Sequence, residues 1–305
     1  MSSLKHFIST LDWDPAPLIE RARAWKAGLD EKPLAGKSVG LVFLNPSLRT
    51  RVSMEVAVAQ LGGHAVTLDA GSAWKLEFAD GAVMDGDRVE HVKEAARVLS
   101  RYVDAIGVRA FPGLVDREED AADPVIEGFR KYATVPVVNL ESARWHPCQA
   151  IADAMTIVER FGSVRGRRVT LTWAYHPKPL PHAVPNSFAA IMKQLGADLR
   201  IARPPGFDLG FDAPTTDRME LGGDVVYAKS WAAPLVYDDP KAELALRAEH
   251  RDWCVRDTRG ATFMHCLPVR RNVIVSDEVL DASAVYDQAE NRLHAQKAIL
   301  EAMVS

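Results

Sequence analysis

The sequence lacks the features that would place it in several large classes of protein. Its three cysteines, Cys148, Cys254 and Cys266, are too few and too scattered for a disulfide framework or a CxxC metal site. No run of 18 apolar residues is present, which excludes an ordinary transmembrane helix. With a net charge of −4 and no block of like charges, a nucleic-acid or anionic-membrane surface is not indicated. These absences predict a cytoplasmic protein that binds neither nucleic acid nor membrane.

Signatures of common enzyme classes are also missing. The chain contains no GxGxxG, GxSxG or HExxH motif, so dinucleotide binding, serine hydrolysis and zinc proteolysis have no support. Gly36-Lys37-Ser38 resembles the end of a P-loop, but Glu31 stands where the first glycine belongs, and the segment precedes a predicted strand instead of following one. The amino-terminal stretch has no continuous apolar segment and carries Asp12 and Asp14, so no secretory signal is expected there.

The order of the apolar segments indicates the fold class. Segment 38–44 has the length of a buried strand, 49–61 has apolar residues near helical spacing, and 64–68 again resembles a strand. This βαβ unit favours a parallel sheet with a right-handed crossover. The alternation continues with a predicted helix at 90–102, a strand at 105–108, a helix at 125–132 and a strand at 135–139.

A second βα series follows from residue 146 onward. It consists of helices at 146–161 and 185–195 and strands at 168–173, 198–202, 224–228 and 262–265. In 305 residues with a hydrophobic content of 48%, we predict an α/β protein with two doubly wound parallel-sheet domains. The domain boundary is predicted near residues 140–146. The amphipathic segment 289–304 predicts a C-terminal helix that returns to the first domain.

The segment Ser47-Leu48-Arg49-Thr50-Arg51 lies between a predicted strand and a predicted helix. The unpaired N–H groups and the dipole of a helix start favour an anion, and hydroxyl and guanidinium groups add donors that suit a phosphate. One interpretation is an ordinary N-cap serine followed by a solvated charged turn. Two arginines in the first turn of a helix oppose its dipole unless an anion offsets them, which favours the anion site.

Two further motifs combine a histidine with possible ligand-binding neighbours. In His146-Pro147-Cys148-Gln149, the histidine and the glutamine lie three residues apart, so both can reach one small ligand from a helix. His265-Cys266-Leu267-Pro268 ends a predicted strand, where residues of an open α/β sheet line the ligand crevice. Each motif also has a structural interpretation: a helix start for the first, a buried cysteine and a turn proline for the second.

Taken together and in this order, the three motifs resemble those of the transcarbamylases: Ser-x-Arg-Thr-Arg, His-Pro-x-Gln and His-Cys-Leu-Pro. The closer similarity is to the branch that carbamoylates N-acylated ornithine, and it extends over essentially the whole chain. The segments that carry it are Ala73-Trp74-Lys75-Leu76-Glu77, Val83-Met84-Asp85-Gly86-Asp87, Gly107-Val108-Arg109, Thr172-Trp173 with His176-Pro177, and Ala228-Lys229-Ser230-Trp231. The similarity is weakest between about residues 206 and 258, and the Ser-Met-Gly loop of ordinary ornithine transcarbamylases is absent.

The resemblance implies a carbamoyltransferase fold with a backbone knot near the proline-rich loop, and a homotrimer with sites at subunit interfaces. Domain 1–143, completed by the C-terminal helix at 287–305, would bind carbamoyl phosphate, and domain 144–286 would bind the acylornithine. The implied activity transfers the carbamoyl group to the side-chain amine of N-succinyl-L-ornithine, giving N-succinyl-L-citrulline and phosphate in arginine biosynthesis. No cofactor and no metal is implied, because arginines supply the positive charge.

The same resemblance implies roles for individual residues. Carbamoyl phosphate would be held by Ser47, Leu48, Arg49, Thr50, Trp74, Arg109, His146, Gln149, Cys266, Leu267 and Arg292. Trp74 would come from a neighbouring subunit, and the catalytic residues would be Thr50, Arg109 and His146. The acylornithine would be held by Val89, Glu141, His176, Lys229 and Arg270, with Cys266 near the reacting amine.

Two positions bear on the acyl group. Acetyl-specific members of the branch carry a glutamate where this chain has Val89, and a lysine where it has Ile274. A glutamate would repel the carboxylate of a succinyl group, so an uncharged residue favours N-succinylornithine. Drift on a loop would explain both positions as well, and N-acetylornithine therefore stays an alternative acceptor. A non-catalytic, anion-binding paralogue is a second alternative, although the site arginines are intact.

Overall fold

The computed structural model describes residues 6–70 and 74–304, which fold into two compact units. The first unit comprises Met1–Pro112, Glu119–Cys148 and Arg292–Ser305, apart from the residues outside the described ranges. The second comprises Gly113–Glu118 and Gln149–Asn291. The division between them lies within the helix that begins at Pro147, a few residues beyond the position 143 expected from the sequence. Ala73, quoted above for the family resemblance, lies outside the described residues.

The elements up to residue 141 alternate between strands and helices. They are α1 (Pro15–Lys26), β1 (Ser38–Phe43), α2 (Arg49–Gln60), β2 (His64–Asp69), β3 (Leu76–Glu77), β4 (Glu90–His91), α3 (Val92–Leu99), β5 (Ala105–Arg109), α4 (Arg117–Ala122), α5 (Pro124–Tyr132) and β6 (Val137–Glu141). The sheet of the first unit has the strand order β2-β1-β5-β6, with every pair parallel. Strands β3 and β4 form a separate parallel pair.

The core of the first unit follows from its strand sequences. Strands β5 and β6 are buried along their whole length and β1 nearly so, which is typical of a parallel sheet covered by helices. Gly107 in β5 packs where any side chain would be crowded, since a Cβ there would lie 3.0 Å from Leu140 and 3.1 Å from Leu41. Because these three strands are parallel and in register, their carboxyl ends at Phe43, Arg109 and Glu141 lie at one edge of the sheet.

The elements after residue 141 form the second series. They are α6 (Pro147–Phe161), β7 (Arg168–Trp173), α7 (Ala183–Gln194), β8 (Asp198–Ala202), β9 (Thr215–Thr216), β10 (Val225–Lys229), α8 (Pro240–Glu249), β11 (Thr262–Met264), α9 (Asp277–Asp281) and α10 (Val285–Val304). The sheet has the order β11-β10-β7-β8-β9 and is parallel throughout. From Arg292 onward α10 belongs to the first unit, where Glu301 accepts hydrogen bonds from Arg21 and Trp25 of α1.

The predicted class, two parallel-sheet α/β domains, is confirmed. The helix predicted at 90–102 is shorter than expected, because Glu90 and His91 pair with β3. The strand predicted at 135–139 begins only after Pro136, which has no N–H to donate to the sheet. Helices α1 and α8 were not predicted, although each starts with an aspartate cap followed by a proline. Within residues 6–70 and 74–304, no helix has the length and apolar character needed to cross a membrane.

Candidate functional site

The segment Ser47–Thr50 forms the turn from β1 into α2. The Thr50 N–H donates to Ser47 Oγ at 3.2 Å, so the serine caps the helix start. Leu48 points to solvent, whereas the Thr50 side chain is buried in the first unit. A cavity of about 730 Å³ opens here, and its lining includes Asn45, Ser47 and Leu48. The turn thus combines a helix N-terminus with a space of the size of a small ligand.

Two arginines from distant parts of the chain meet at the Thr50 hydroxyl. Arg109, the last residue of β5, donates from Nη1 at 3.3 Å, and Arg292 in α10 donates from Nη2 at 2.6 Å. Both guanidinium groups are buried. Two buried positive charges at one hydroxyl repel each other, and the carboxylate of Glu141 offsets that of Arg109. This arrangement, together with half-buried Arg49, suits an anion with two negative charges.

A buried carboxylate completes this group in the first unit. Glu141 Oε2, at the end of β6, accepts from Arg109 Nη1 at 2.5 Å and lies 3.6 Å from His146 Nε2. The guanidinium of Arg109 also lies over the ring of Phe111, 4.5 Å from its centroid. Its Nε is buried and makes no hydrogen bond to any described residue. We call Thr50, Arg109, Glu141, His146 and Arg292 the Thr50 cluster.

Two predicted site residues, Trp74 and Val89, lie on a separate segment of the first unit. The Trp74 indole donates to Glu90 at 2.6 Å, and the Val89 N–H donates to Lys75 O at 2.9 Å. Both side chains are more than half exposed. Lys75 also forms an ion pair with Asp87. The segment 74–91 is therefore held by hydrogen bonds within itself and displays these two side chains to solvent.

Gln149 begins a buried polar network in the second unit. Its Nε2 donates to Asp153 Oδ1 at 2.7 Å, one turn along α6, and the same oxygen accepts from Gln288 Nε2 at 2.6 Å. Gln288 Oε1 in turn accepts from the N–H of His265 at 3.0 Å. The carboxylate can only accept, so it fixes the amide orientation of Gln149. Gln149 Oε1 is then a buried acceptor with no hydrogen-bond donor among the described residues.

The loop after β11 carries Cys266 and Leu267. Cys266 is buried, and the Leu267 N–H donates to His265 Nδ1 at 2.9 Å. Leu267 adopts a φ of 53°, a left-handed conformation that is costly for a residue with a branched side chain. Such strain persists where surrounding contacts fix the backbone, and it is frequent at ligand sites. Cys148, by contrast, is a core residue: burial raises the pKa of its thiol to about 12.

His176 and Arg270 form a pair at the surface of the second unit. Arg270 Nε donates to His176 Nε2 at 3.1 Å, and His176 Nδ1 lies 2.8 Å from Lys178 O. A ring that accepts at Nε2 is neutral, and its Nδ1 faces both the carbonyl of Lys178 and the Lys178 N–H, which lies 3.1 Å away. Burial lowers the pKa of His176, and the charges of Arg270, Lys229 and Arg247 lower it further. Lys229, the last residue of β10, and exposed Arg270 give this surface a positive potential.

Three residues of these arrangements escaped sequence reasoning. Asp153 lies four residues after Gln149 on the same helix face, and that spacing is a signal which could have found it. Gln288 had no such signal, because its partners are far away in sequence. Arg247 lies four residues after Glu243 on α8, which is the same spacing signal, but its contacts with His176, Ser230 and Trp231 had none. Ile274 lies in the turn between β11 and α9, and its side chain is buried in an apolar cluster of the second unit. Among the described residues, no group of three or more His, Cys, Asp or Glu side chains could hold a metal ion.

The sequence matches two family models. Residues 5–159 match "Aspartate/ornithine carbamoyltransferase, carbamoyl-P binding domain", and residues 181–303 match "Aspartate/ornithine carbamoyltransferase, Asp/Orn binding domain". N-acetylornithine carbamoyltransferase of Xanthomonas axonopodis pv. citri is 44% identical over 99% of this chain and 97% of its own length. N-succinylornithine carbamoyltransferase of Bacteroides thetaiotaomicron is 40% identical over 88% of this chain and 87% of its own length.

A similar fold occurs in a solved structure of N-acetyl-L-ornithine transcarbamylase. That protein is a glutamate-to-valine variant complexed with carbamyl phosphate and N-succinyl-L-norvaline. Its TM-score with this chain is 0.94, at 44% sequence identity, and the match covers 99% of this chain and 100% of the other. Identity of this extent, over both units, goes well beyond a shared fold. The chain therefore belongs to the aspartate/ornithine carbamoyltransferase family and is a carbamoyltransferase.

Proposed function

We propose that this enzyme transfers the carbamoyl group of carbamoyl phosphate to the side-chain amine of N-succinyl-L-ornithine, giving N-succinyl-L-citrulline and phosphate. The observation that carries the carbamoyl phosphate half is the Thr50 cluster, where two buried arginines converge on one hydroxyl. Arg109 is paired with Glu141, and Arg292 and half-buried Arg49 add positive charge that favours a bound anion. The acceptor half is supported by the similarity to enzymes named for N-acylated ornithines.

Carbamoyl phosphate is held mainly by residues of the first unit. The N–H groups and side chains of Ser47–Thr50 bind its phosphate, and Arg49 and Arg292 supply the positive charge. Trp74 comes from a neighbouring subunit. The free Nε face of Arg109 bridges the phosphate and the carbonyl oxygen. The buried Oε1 of Gln149 needs a donor, and the carbamoyl NH₂ is one. Leu267, next to Cys266, adds a backbone acceptor for that same NH₂ group.

The reaction forms a C–N bond and breaks the bond between the carbonyl carbon and the phosphate oxygen. As the neutral amine attacks, negative charge develops on the carbonyl oxygen, where Arg109, His146 and Thr50 donate. Removing one such donor typically lowers the rate by 10²–10³. The amine proton passes to the departing phosphate, so that no protein side chain has to act as the base. The protein contributes fixed donors and alignment of the two substrates.

The acceptor is bound mainly by residues of the second unit. Lys229 and Arg270 are the cations that meet its carboxylates, and neutral His176 keeps Arg270 in place through the 3.1 Å hydrogen bond. Cys266 lies near the reacting amine, and Glu141 of the first unit attracts that amine. A succinylated ornithine carries two carboxylates and an acetylated one carries a single carboxylate, so a positive surface suits the former better.

The succinyl group is favoured by Val89. Acetyl-specific members have a glutamate at this position, and a negative charge there opposes a second substrate carboxylate. A relative in which a glutamate is replaced by valine was solved with N-succinyl-L-norvaline, a compound with this acyl group. N-acetyl-L-ornithine is the alternative acceptor, favoured by the higher identity to the enzymes of that name.

A homotrimer is part of the proposal. Leu48, just before α2, and Val52 and Val56 on one face of α2 are spaced four residues apart, and they are 74%, 53% and 36% exposed. An apolar stripe of this kind is typical of a protein interface, and a second copy of this chain would cover it. Trp74, whose indole is tied to Glu90 at the surface, would then reach the neighbouring subunit. Light scattering tests the assembly, since a monomeric protein would contradict it.

The acceptor assay tests the proposed function. The ureido product is measured with carbamoyl phosphate and N-succinylornithine, N-acetylornithine or ornithine. We expect the highest kcat/KM with N-succinylornithine, and Val89→Glu should lower that value about fivefold to tenfold through charge repulsion while acetyl turnover stays the same. Val83→Glu is the matched control, because Val83 is 83% exposed on the same segment.

Each outcome of this assay has a clear meaning. A wild-type preference for N-acetylornithine that is insensitive to Val89→Glu would overturn the succinyl assignment. An equal effect of the two glutamate variants would show that only the overall charge matters. No product with either acylated ornithine would overturn the proposed acceptor class.

A further inference from the structure

A buried ion pair lies behind the proposed acceptor residues of the second unit. Arg247 and Glu243 are one turn apart on α8, and Arg247 Nη2 donates to Glu243 Oε1 at 2.5 Å. Arg247 is 1% exposed and Glu243 is also buried. Removing two charges from water costs free energy, and the attraction between them often does not offset that cost. A buried ion pair therefore contributes little to stability. Its other contacts therefore indicate what it does.

The guanidinium joins the two loops that follow β7 and β10. Its Nη1 donates to His176 O at 3.2 Å and to Ser230 Oγ at 2.8 Å, and its Nη2 donates to Trp231 O at 2.9 Å. Strands β7 and β10 are neighbours in the sheet and end in register at Trp173 and Lys229. A single planar group thus fixes the loops that begin at the carboxyl ends of two adjacent strands.

One of these loops carries His176, and the other begins directly after Lys229; both residues are proposed to bind the acceptor. His176 is bonded directly through its carbonyl, and Lys229 immediately precedes Ser230. The partner carboxylate adds a third attachment, since Glu243 Oε2 accepts from the N–H of Ala233 at 2.8 Å. Aromatic rings surround the cation, with the centroids of Trp173 and Phe207 each 5.5 Å from Cζ.

The geometry of Arg247 excludes a direct role in binding the acceptor carboxylates. Its positive charge is paired with Glu243, its side chain is fully enclosed, and both terminal nitrogens are engaged by protein oxygens. A lysine could not replace it, because an ammonium donates from a single nitrogen, whereas these contacts need two donor nitrogens held apart in one plane. What the side chain determines is the separation and orientation of the two loops.

We propose that Arg247, held by Glu243, is a positioning residue that sets the spacing of His176 and Lys229 for the acceptor. This inference rests on the proposed function, because it takes His176 and Lys229 as acceptor-binding residues. It assigns a role within residues 206–258, the stretch where the family resemblance is weakest. Specificity for the acceptor then depends on a side chain that never touches it.

The test separates positioning from stability. Arg247→Lys keeps a cation for Glu243 and should raise the KM for N-succinylornithine about tenfold, the effect of losing one hydrogen bond to a charged group, with a smaller change in kcat. The Kd for carbamoyl phosphate should stay within about twofold of wild type, since its ligands are elsewhere. Arg203→Met is the matched control, because Arg203 forms an ion pair with Asp208 in the same unit.

A double variant, Glu243→Gln with Arg247→Met, guards against a simple loss of folding. It removes both buried charges, keeps an acceptor for Ala233, and should melt near the wild-type temperature. We expect its KM for N-succinylornithine to remain at least tenfold raised. A double variant with wild-type melting and wild-type KM would overturn the positioning role, as would an equal KM increase in Arg203→Met. If the wild-type enzyme turns over no acylated ornithine, the proposed function fails instead, so the two failures are distinguishable.

Discussion

The residues proposed for carbamoyl phosphate and those proposed for the acceptor differ in how they are held. Thr50, Arg109 and Arg292 are buried and bonded to one another, so their donors are fixed before any ligand arrives. Lys229 is half-buried at the end of β10, and Arg270 is exposed on the loop after β11. Preassembled donors suit one small, invariant anion that must be polarised strongly. Open loop ends suit an acceptor whose acyl group differs among relatives.

The difference has a physical consequence for where specificity resides. Changing the fixed donors alters the stabilisation of the developing charge and therefore the rate with every acceptor. Changing the loop ends, or Val89 on the segment 74–91, alters only the contacts that distinguish one acceptor from another. Within the second unit, the network of Asp153 and Gln288 fixes the amide of Gln149 in a similar way.

The largest effect is expected from a variant that frees the amide of Gln149. Asp153→Leu removes the carboxylate that orients the amides of Gln149 and Gln288, so both can rotate. We expect kcat/KM to fall about a hundredfold with every acceptor, as is usual when a contact group is displaced by about 1 Å. Steady-state kinetics with carbamoyl phosphate and each acceptor measures this.

The control for this variant lies one turn further along α6. Thr156→Val removes a buried hydroxyl that accepts from Asn291, in a similar contact with α10. It should leave kcat/KM within about twofold of wild type, because distant contacts contribute independently. Equal losses in the two variants would indicate that packing of the two helices, and not the orientation of Gln149, determines the rate.

A smaller effect is expected from the imidazole on the acceptor side. Burial lowers the pKa of His176, so the unfolded chain, with an ordinary histidine pKa near 6.5, binds more protons than the folded protein at acid pH. The contribution of the neutral His176 to the free energy of unfolding is complete above the pKa of the unfolded chain, and it is lost as the pH falls below that value. Between pH 7.5 and 5.5, the free energy of unfolding should therefore decrease less in His176→Asn than in wild type, with a difference of less than about 1 kcal/mol.

Urea unfolding at several pH values measures this difference. His64→Asn is the control, because His64 is exposed at the start of β2 in the first unit. The same pH dependence in wild type and His176→Asn would show that this imidazole is not held neutral by its surroundings. A flattened dependence in both variants would show that the effect is general to histidines.

Sequence patterns predicted the fold class and the local motifs because both depend on neighbouring residues. Ser47–Thr50 and His146–Gln149 are contiguous, and the alternation of strands and helices is a local property. Contacts such as that of Arg292 with Thr50, 242 residues apart, follow from tertiary packing. The loop contacts of Arg247 follow from tertiary packing too, since they join α8 to residues 16 to 71 positions earlier in the chain. The individual roles assigned through the family resemblance stay predictions.

Calorimetric titration of carbamoyl phosphate into the enzyme without acceptor tests the central claim most directly. If the Thr50 cluster is a preassembled anion site, the wild type binds with measurable heat, and Arg109→Gln, which keeps a donor for Glu141, weakens binding about a hundredfold. Lys229→Gln, on the acceptor side, leaves the Kd unchanged. Equal affinity in wild type and Arg109→Gln, or loss of binding in Lys229→Gln, would contradict the account.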